Sequence, residues 1–207
     1  MGQPNAEEGL RRAEWLVQAI YDGVNAGAKI LNVSLGGYFE SFELDEALGY
    51  AAASDVLVVG AAGNDGRRAL GPDPIYPAND ARSLAVNALA RQGTLASHAA
   101  EADWIKLAAP GGEDPPREQP NYRDGQIRGL VPGGYGYKKG TSYASAHVAG
   151  VAALMRAANP TLTRADLIEF LQSTADPLGA QPLPNRAYGW GRVNAGRAVR
   201  AARDGGL

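Results

Sequence analysis

The run Asp55-Val-Leu-Val-Val-Gly-Ala-Ala62 constrains the fold more than any other stretch of this 207-residue chain. It is short, largely β-branched or aliphatic, and reads as a buried strand. Strands of that kind belong to parallel sheets whose faces are covered by crossover helices. The flanking sequence supplies such helices. Leu10 to Ala26 places Ala13, Leu16, Val17, Ile20 and Val24 on one helical face, and Gly27 offers a stop before a strand over Lys29 to Leu35. Phe42 to Ala53 repeats the helical theme. Ser83 to Leu89 and Trp104 to Ala108 read as weaker strands. The alternation predicts an α/β fold, with a mainly parallel sheet flanked by helices.

The second half contains Gly140-Thr-Ser-Tyr-Ala-Ser-Ala-His-Val-Ala-Gly150, which predicts a helix over roughly Thr141 to Ala157. Glycine permits a tight turn and close substrate approach. Ser142 falls in the first helical turn, where free N–H groups and the helix dipole favour negative charge. That is a setting for a nucleophilic serine. A plainer reading makes Ser142 a polar cap on a small-residue helix packed against a sheet. Asn64 lies in the turn Gly63-Asn-Asp-Gly66, at the carboxyl edge of the sheet; taken alone it is equally an ordinary turn asparagine. Further on, Thr163 is positioned to cap a helix running to about Ser173, with Asp166 in its first turn and Leu167, Ile168, Phe170 and Leu171 on its buried face. A last helix spans about Asn194 to Arg203, with its arginines outward, and residues 204–207 form a flexible tail. The Pro- and charge-rich stretch from Gly111 to Gly125 predicts a surface loop.

Four blocks carry a resemblance that extends over nearly the whole chain. They are Ile30-Leu-Asn-Val-Ser-Leu-Gly-Gly37, Val56-Leu-Val-Val-Gly-Ala-Ala-Gly-Asn-Asp-Gly66, Ala108-Ala-Pro-Gly111 with the Ser142 motif, and Gly189-Trp-Gly-Arg-Val-Asn-Ala-Gly-Arg-Ala-Val199. In this order they resemble the C-terminal part of a subtilisin-like serine protease, a subtilase of the peptidase S8 type. The resemblance implies a three-layer subtilisin-like fold whose N-terminal portion is missing, with residues 1–203 as a partial catalytic domain. It implies a serine endopeptidase that hydrolyses peptide bonds through an acyl-enzyme on Ser142. Asn64 would donate to the developing oxyanion beside the Ser142 N–H. Ser34, Leu35 and Gly36 would form one wall of the substrate cleft and pair with an extended peptide, and Ala61, Ala62 and Gly63 the other. Small residues on both walls suit an apolar substrate side chain, and neither segment holds an acid to select a basic one. Tyr143 stands where many relatives carry methionine, and Ala146 replaces the usual proline before His147.

Subtilases order their triad Asp, His, Ser, and the first two positions have no counterpart here. The chain has two histidines, His98 and His147, neither in a His-Gly-Thr context. His147 follows Ser142 by five positions on one helix, so it is turned about 140° away and reads as a packed structural histidine. His98 falls on what the resemblance makes a surface segment. Lys138 and Lys139 raise the thought of a Ser-Lys dyad, but their loop position favours solvated charges. The expectation is therefore that Asp and His come from a missing upstream segment or a partner chain, and that this chain alone is nearly inert. The alternative is a non-catalytic peptide-binding or scaffold module. The missing segment would also leave the edge of the Ile30 strand bare, so the partner is a complementing N-terminal segment or chain, or a second copy through self-association.

Composition narrows the remaining classes. An apolar share of 45% suffices for a core, and a formal charge of −2 with interspersed signs gives no footprint for nucleic acid or anionic membrane. No apolar run approaches the roughly 18 residues of a membrane span, and the N-terminus lacks a signal-peptide pattern. There is no cysteine, which removes disulfides and thiolate metal sites. The resemblance implies an extracellular protein whose chemistry needs no cofactor. Structural calcium is common in the family, but no carboxylate cluster identifies ligands.

Overall fold

The computed structural model describes residues 6–38, 40–66, 75–116, 118 and 123–205, with the backbone alone for 6–12. Residues 206–207 of the expected tail, and 117 and 119–122 of the expected loop, lie outside the described residues.

The elements run α1 (Ala6–Asn25), β1 (Ile30–Val33), α2 (Phe42–Ala53), β2 (Leu57–Ala61), β3 (Ser83–Leu89), β4 (Leu107–Pro110), β5 (Ile127–Val131), β6 (Gly134–Lys138), α3 (Thr141–Ala158), α4 (Arg164–Ser173) and α5 (Ala195–Asp204). Strands β1 to β4 form one parallel sheet in sequential order, with Val33 opposite Gly60 and Ala61 opposite Val86. The mainly parallel α/β architecture is thus as the alternating pattern predicts. β4 lies a few residues later than expected, because Ile105 is buried just ahead of it and pairing with β3 begins only at Leu107 opposite Val86.

The strand β2 shows why both faces are covered. Side chains of a strand point alternately to opposite faces. Accordingly Leu57 and Val59 pack with α3, α4 and α5, contributing to a cluster with Val148, Met155, Leu167 and Leu171. Val56 and Val58 pack the other way, with Ile20 and Val24 of α1 and Leu44 and Leu48 of α2. Three layers result, two helices on one face and three on the other.

Caps set the helices in place. The Ser41 hydroxyl accepts the Leu44 N–H at 3.1 Å. Thr163 and Asp166 form a capping box at α4, as the sequence suggests. That box holds the Asp166 carboxyl below its usual range, chiefly through the Thr163 hydroxyl. Asn194 accepts the Arg197 N–H at 3.0 Å and caps α5. Asp204 closes that helix rather than opening the tail.

The hairpin β5–β6 is an element that no sequence pattern announced. Its strands, Ile-Arg-Gly-Leu-Val and Gly-Tyr-Gly-Tyr-Lys, pair antiparallel around Pro132-Gly133 and are mostly exposed. With three glycines and little apolar alternation they lack the signature of a half-buried strand. Cross-strand contact supplies what burial does not: the Arg128 guanidinium lies 4.0 Å from the centre of the Tyr135 ring. The described part of the expected loop, residues 111–116, 118 and 123–125, carries no helix or strand.

Candidate active site

β1, β2 and α3 converge at the carboxyl edge of the sheet, which is where open α/β sheets place their ligands. α3 begins at Gly140, whose φ of 136° lies in the region that glycine favours. A Cβ there would also press on the Asn64 amide, at 3.3 Å from its oxygen. Gly140 is held from below by its own N–H, which donates to the Gly111 carbonyl at 2.8 Å.

No side chain caps α3 from within its own sequence. Its first N–H groups turn to the site instead. The Thr141 N–H donates to Asn64 Oδ1 at 2.9 Å, and Thr141 Oγ1 donates to the same oxygen at 3.2 Å. Thr141 Oγ1 also accepts the Gly63 N–H at 3.0 Å. A backbone N–H can only donate, so its partner on Asn64 must be the carbonyl oxygen. The Asn64 amide orientation is therefore set, and its NH₂ has no acceptor among the described residues. The Ser142 N–H has none either. Two unspent donors, one from each side of the cleft, are the arrangement that stabilises a tetrahedral oxyanion. Thr141, which sequence reasoning passed over, is the residue that orients Asn64.

Ser142 is half-buried, and its hydroxyl donates to the Ser34 carbonyl at 2.9 Å. Ser34 returns the contact, its hydroxyl donating to the Ser142 carbonyl at 2.8 Å and standing 3.1 Å from Ser145 Oγ. Asn32 Nδ2 donates to Ser34 Oγ at 2.8 Å. The nucleophile candidate is thus tied directly to the end of β1.

The structure gathers Ser34, Leu35 and Gly36 with Ala61, Gly63 and Asn64 around one open cleft of about 220 Å³, with Ser142 at its end. Ala62 is fully buried between them and lines no part of that cleft. Four further residues complete it: Tyr38, Asp65, Ile75 and Thr141. The two wall segments hold no acid, but Asp65, in the turn after Asn64, also lines the cleft.

Neither histidine hydrogen-bonds to Ser142. His147 is exposed rather than packed, and its Nδ1 donates to the Tyr143 carbonyl at 2.8 Å, one turn back on α3. His98 departs from the surface position expected of it. It is 7% exposed, and both ring nitrogens lack a partner among the described residues. Burial pushes its pKa down, and Lys139 does the same, against a partial pull upward from Glu113 and Asp114. Lys139 pairs with Asp114 and is only 31% exposed, so it is a held cation rather than a solvated one or a base for Ser142. Burial works to raise the Glu113 carboxyl, but the Ser97 hydroxyl and the N–H groups of Asp114 and Ser97 outweigh it and hold the pKa down. Among the described residues no three His, Asp or Glu side chains converge as a metal site. No described helix is long and apolar enough to cross a membrane.

The sequence model of the Subtilase family, peptidase S8, matches residues 4–191. Subtilisin of Bacillus pumilus is 32% identical over 193 residues, covering 93% of this chain and 64% of the relative. Alkaline elastase YaB of Bacillus sp. (strain YaB) is 34% identical over 186 residues, covering 89% and 44%. The chain thus spans between about two fifths and two thirds of the length of these relatives. Among solved structures, a lanthipeptide protease superposes with a TM-score of 0.78 at 25% identity, over 89% of this chain and 65% of that one. A protease of Pseudoalteromonas arctica superposes with a TM-score of 0.72 at 32% identity, over 84% and 51%. The parallel sheet between helical layers and the match along almost the whole chain agree: this chain belongs to the subtilase family.

Proposed function

We propose that the chain provides the nucleophile and oxyanion side of a serine endopeptidase. Ser142 attacks the peptide carbonyl and carries the acyl group, while Asn64 Nδ2 and the Ser142 N–H receive the negative charge. Ser34, Leu35 and Gly36 hold the extended substrate on one side, and Ala61 and Gly63 on the other. The triad's Asp and His come from an upstream segment or a partner chain that completes the sheet beside β1. Calcium bound elsewhere on the completed fold, and an extracellular location, follow the habit of the family.

One observation carries the reading. The Asn64 carbonyl is occupied by Thr141 while the Asn64 amide and the Ser142 N–H are both left without acceptors at the mouth of one cleft. The Ser142 N–H is half-buried, where donors are rarely left unspent without a purpose, and the Asn64 amide beside it is exposed and free to meet a substrate. A second reading, a non-catalytic peptide-binding module, is favoured by a different fact: Ser142 spends its hydroxyl proton on the Ser34 carbonyl, and neither histidine reaches it.

A serine-directed fluorophosphonate separates the two. The catalytic reading expects labelling that disappears in Ser142→Ala and rises steeply when a subtilase N-terminal segment bearing the catalytic Asp and His is co-expressed. Loss of a triad serine lowers turnover by about 10⁶-fold in subtilisin itself, the source of that magnitude. Absence of labelling even in the co-expressed complex sinks the catalytic reading in favour of the binding module.

A further inference from the structure

The turn that carries Asn64 rests on a second turn, backbone against backbone. Gly66, two residues past Asn64, donates its N–H to the His98 carbonyl at 2.9 Å, and a Cβ on Gly66 would stand 3.1 Å from the Ser97 carbonyl oxygen. Asn64 is thus held in two ways: Thr141 fixes its side chain, and His98 fixes the turn that follows it. The second turn is docked in its own right. The Ala96 N–H donates to the Ala88 carbonyl of β3 at 3.0 Å, and the Ser97 N–H donates to Glu113 Oε2 at 2.8 Å.

In this docked turn the His98 ring is buried, with neither nitrogen partnered among the described residues. A neutral imidazole is tolerated there far better than an imidazolium, which would bury an unpaired charge and need acceptors for two N–H groups. Three charged groups act on the ring. Lys139, between β6 and α3, repels a second cation, while Glu113 and Asp114 attract one. Both acids are already engaged, Glu113 by Ser97 and Asp114 by Lys139. Asp65, the acid of the Asn64 turn, accepts the Tyr38 hydroxyl at the exit of β1.

We infer that His98 is a positioning residue for the oxyanion donor Asn64 and serves only as the neutral imidazole, so that mild acid opens the 97–98 turn, frees Gly66 and undoes the oxyanion site. The inference rests on the reading of Asn64 as the oxyanion donor. In the open turn the imidazole meets water and titrates near its ordinary value of about 6.5. In the closed turn burial, and then Lys139, disfavour the charged form. Opening therefore takes up a proton as the pH falls below about 6.5. The open fraction grows by up to about tenfold per pH unit, until the closed form protonates as well.

The test is hydrogen exchange of the purified chain, read amide by amide by NMR between about pH 7.5 and 5.5. Protection of the Gly66 N–H should fall by up to about tenfold per unit below about pH 6.5, ahead of the Val59 and Val86 N–H groups in the central strands. The Thr141 N–H, bonded to Asn64 Oδ1, should follow Gly66. His98→Phe should remove the pH dependence at both positions while leaving the spectrum at the upper pH in place. Lys139→Gln keeps the imidazole and removes its repelling neighbour, so the fall should level off at a higher pH; this variant supplies the check if the phenylalanine one does not fold. The inference is overturned by Gly66 protection that ignores pH, by a fall retained in His98→Phe, or by a Lys139→Gln profile identical to the parent's. Gly66 exchanging only in step with Val59 and Val86, or without Thr141, overturns it equally. Exchange makes no use of Ser142 chemistry. A chain that never labels with fluorophosphonate can still show the coupled fall, and one that labels can lack it.

Discussion

The two outer edges of the parallel sheet are finished differently. At β4 the segment after Tyr188 folds against the strand: the Ala108 N–H donates to the Gly191 carbonyl, the Val193 N–H to the Ala108 carbonyl and the Trp190 N–H to the Lys106 carbonyl, each at 2.9 Å. That edge has no row of open groups left to offer. At β1 the far side has no strand beside it among the described residues. The Leu57 N–H donates to the Lys29 carbonyl at 3.0 Å, so by strand alternation Lys29, Leu31 and Val33 face β2 while Ile30 and Asn32 present their N–H and carbonyl groups outward. The closed edge stabilises; the open edge borders Ser34 and, through it, Ser142. On the proposed function the contrast has a use, since the general base would then be supplied from the side that lacks a neighbour.

The comparison breaks most severely at the closed edge. Gly191 has φ of 127°, and a Cβ there would collide with the Asp176 carbonyl. Gly191→Ala should detach the segment that seals β4 and cost about 3 kcal/mol or more in urea unfolding. A variant as stable as the parent would mean that the seal contributes little.

The open edge should announce itself through association. The purified chain is expected to sediment with concentration-dependent mass, and Asn32→Lys, a charge placed on the outward strand, should shift it towards monomer, as natural edge strands are protected. A chain that is monomeric at all concentrations would remove the contrast between the edges.

The smallest effect concerns His98, which lies near neither edge. Its folded-state pKa is depressed below the ordinary 6.5 by burial, with Lys139 adding to this and Glu113 and Asp114 opposing. Unfolding therefore takes up a proton as the pH drops below about 6.5. The stability that neutral His98 contributes is whole above that value and is lost as the pH falls towards the folded-state pKa. Urea midpoints should decline gently between about pH 7.5 and 5.5, and His98→Leu should flatten the decline. An unaltered decline would assign it to other groups, the paired carboxylates acting only at lower pH.

Much of the fold was legible because its signals are local. The buried run at β2, the face of α1 at helical spacing and the Thr163/Asp166 capping box each depend on neighbours within a few positions. Boundaries of β1 and β4 shifted because a strand ends where its partner ends. The hairpin β5–β6 escaped notice because its exposed strands need no apolar alternation. In the candidate site, Ser142 and Asn64 could be named from their motifs, whereas Thr141, Tyr38 and Ile75 could not: each acts on a residue far away in the chain, Thr141 on Asn64 and Tyr38 on Asp65. His98 gave the opposite lesson, since the resemblance put it on a surface segment and the packing of this chain buries it.

The amino-acid sequence by itself determined the layer type, the family and the two residues on which the proposed chemistry turns, because periodicity and short motifs are properties of contiguous chain. Only the tertiary structure decided which way the Asn64 amide points, which carboxylate reaches the cleft and how the edge of β4 is sealed. Those depend on hydrogen bonds and contacts between segments tens of residues apart, and no local pattern encodes the distance between them.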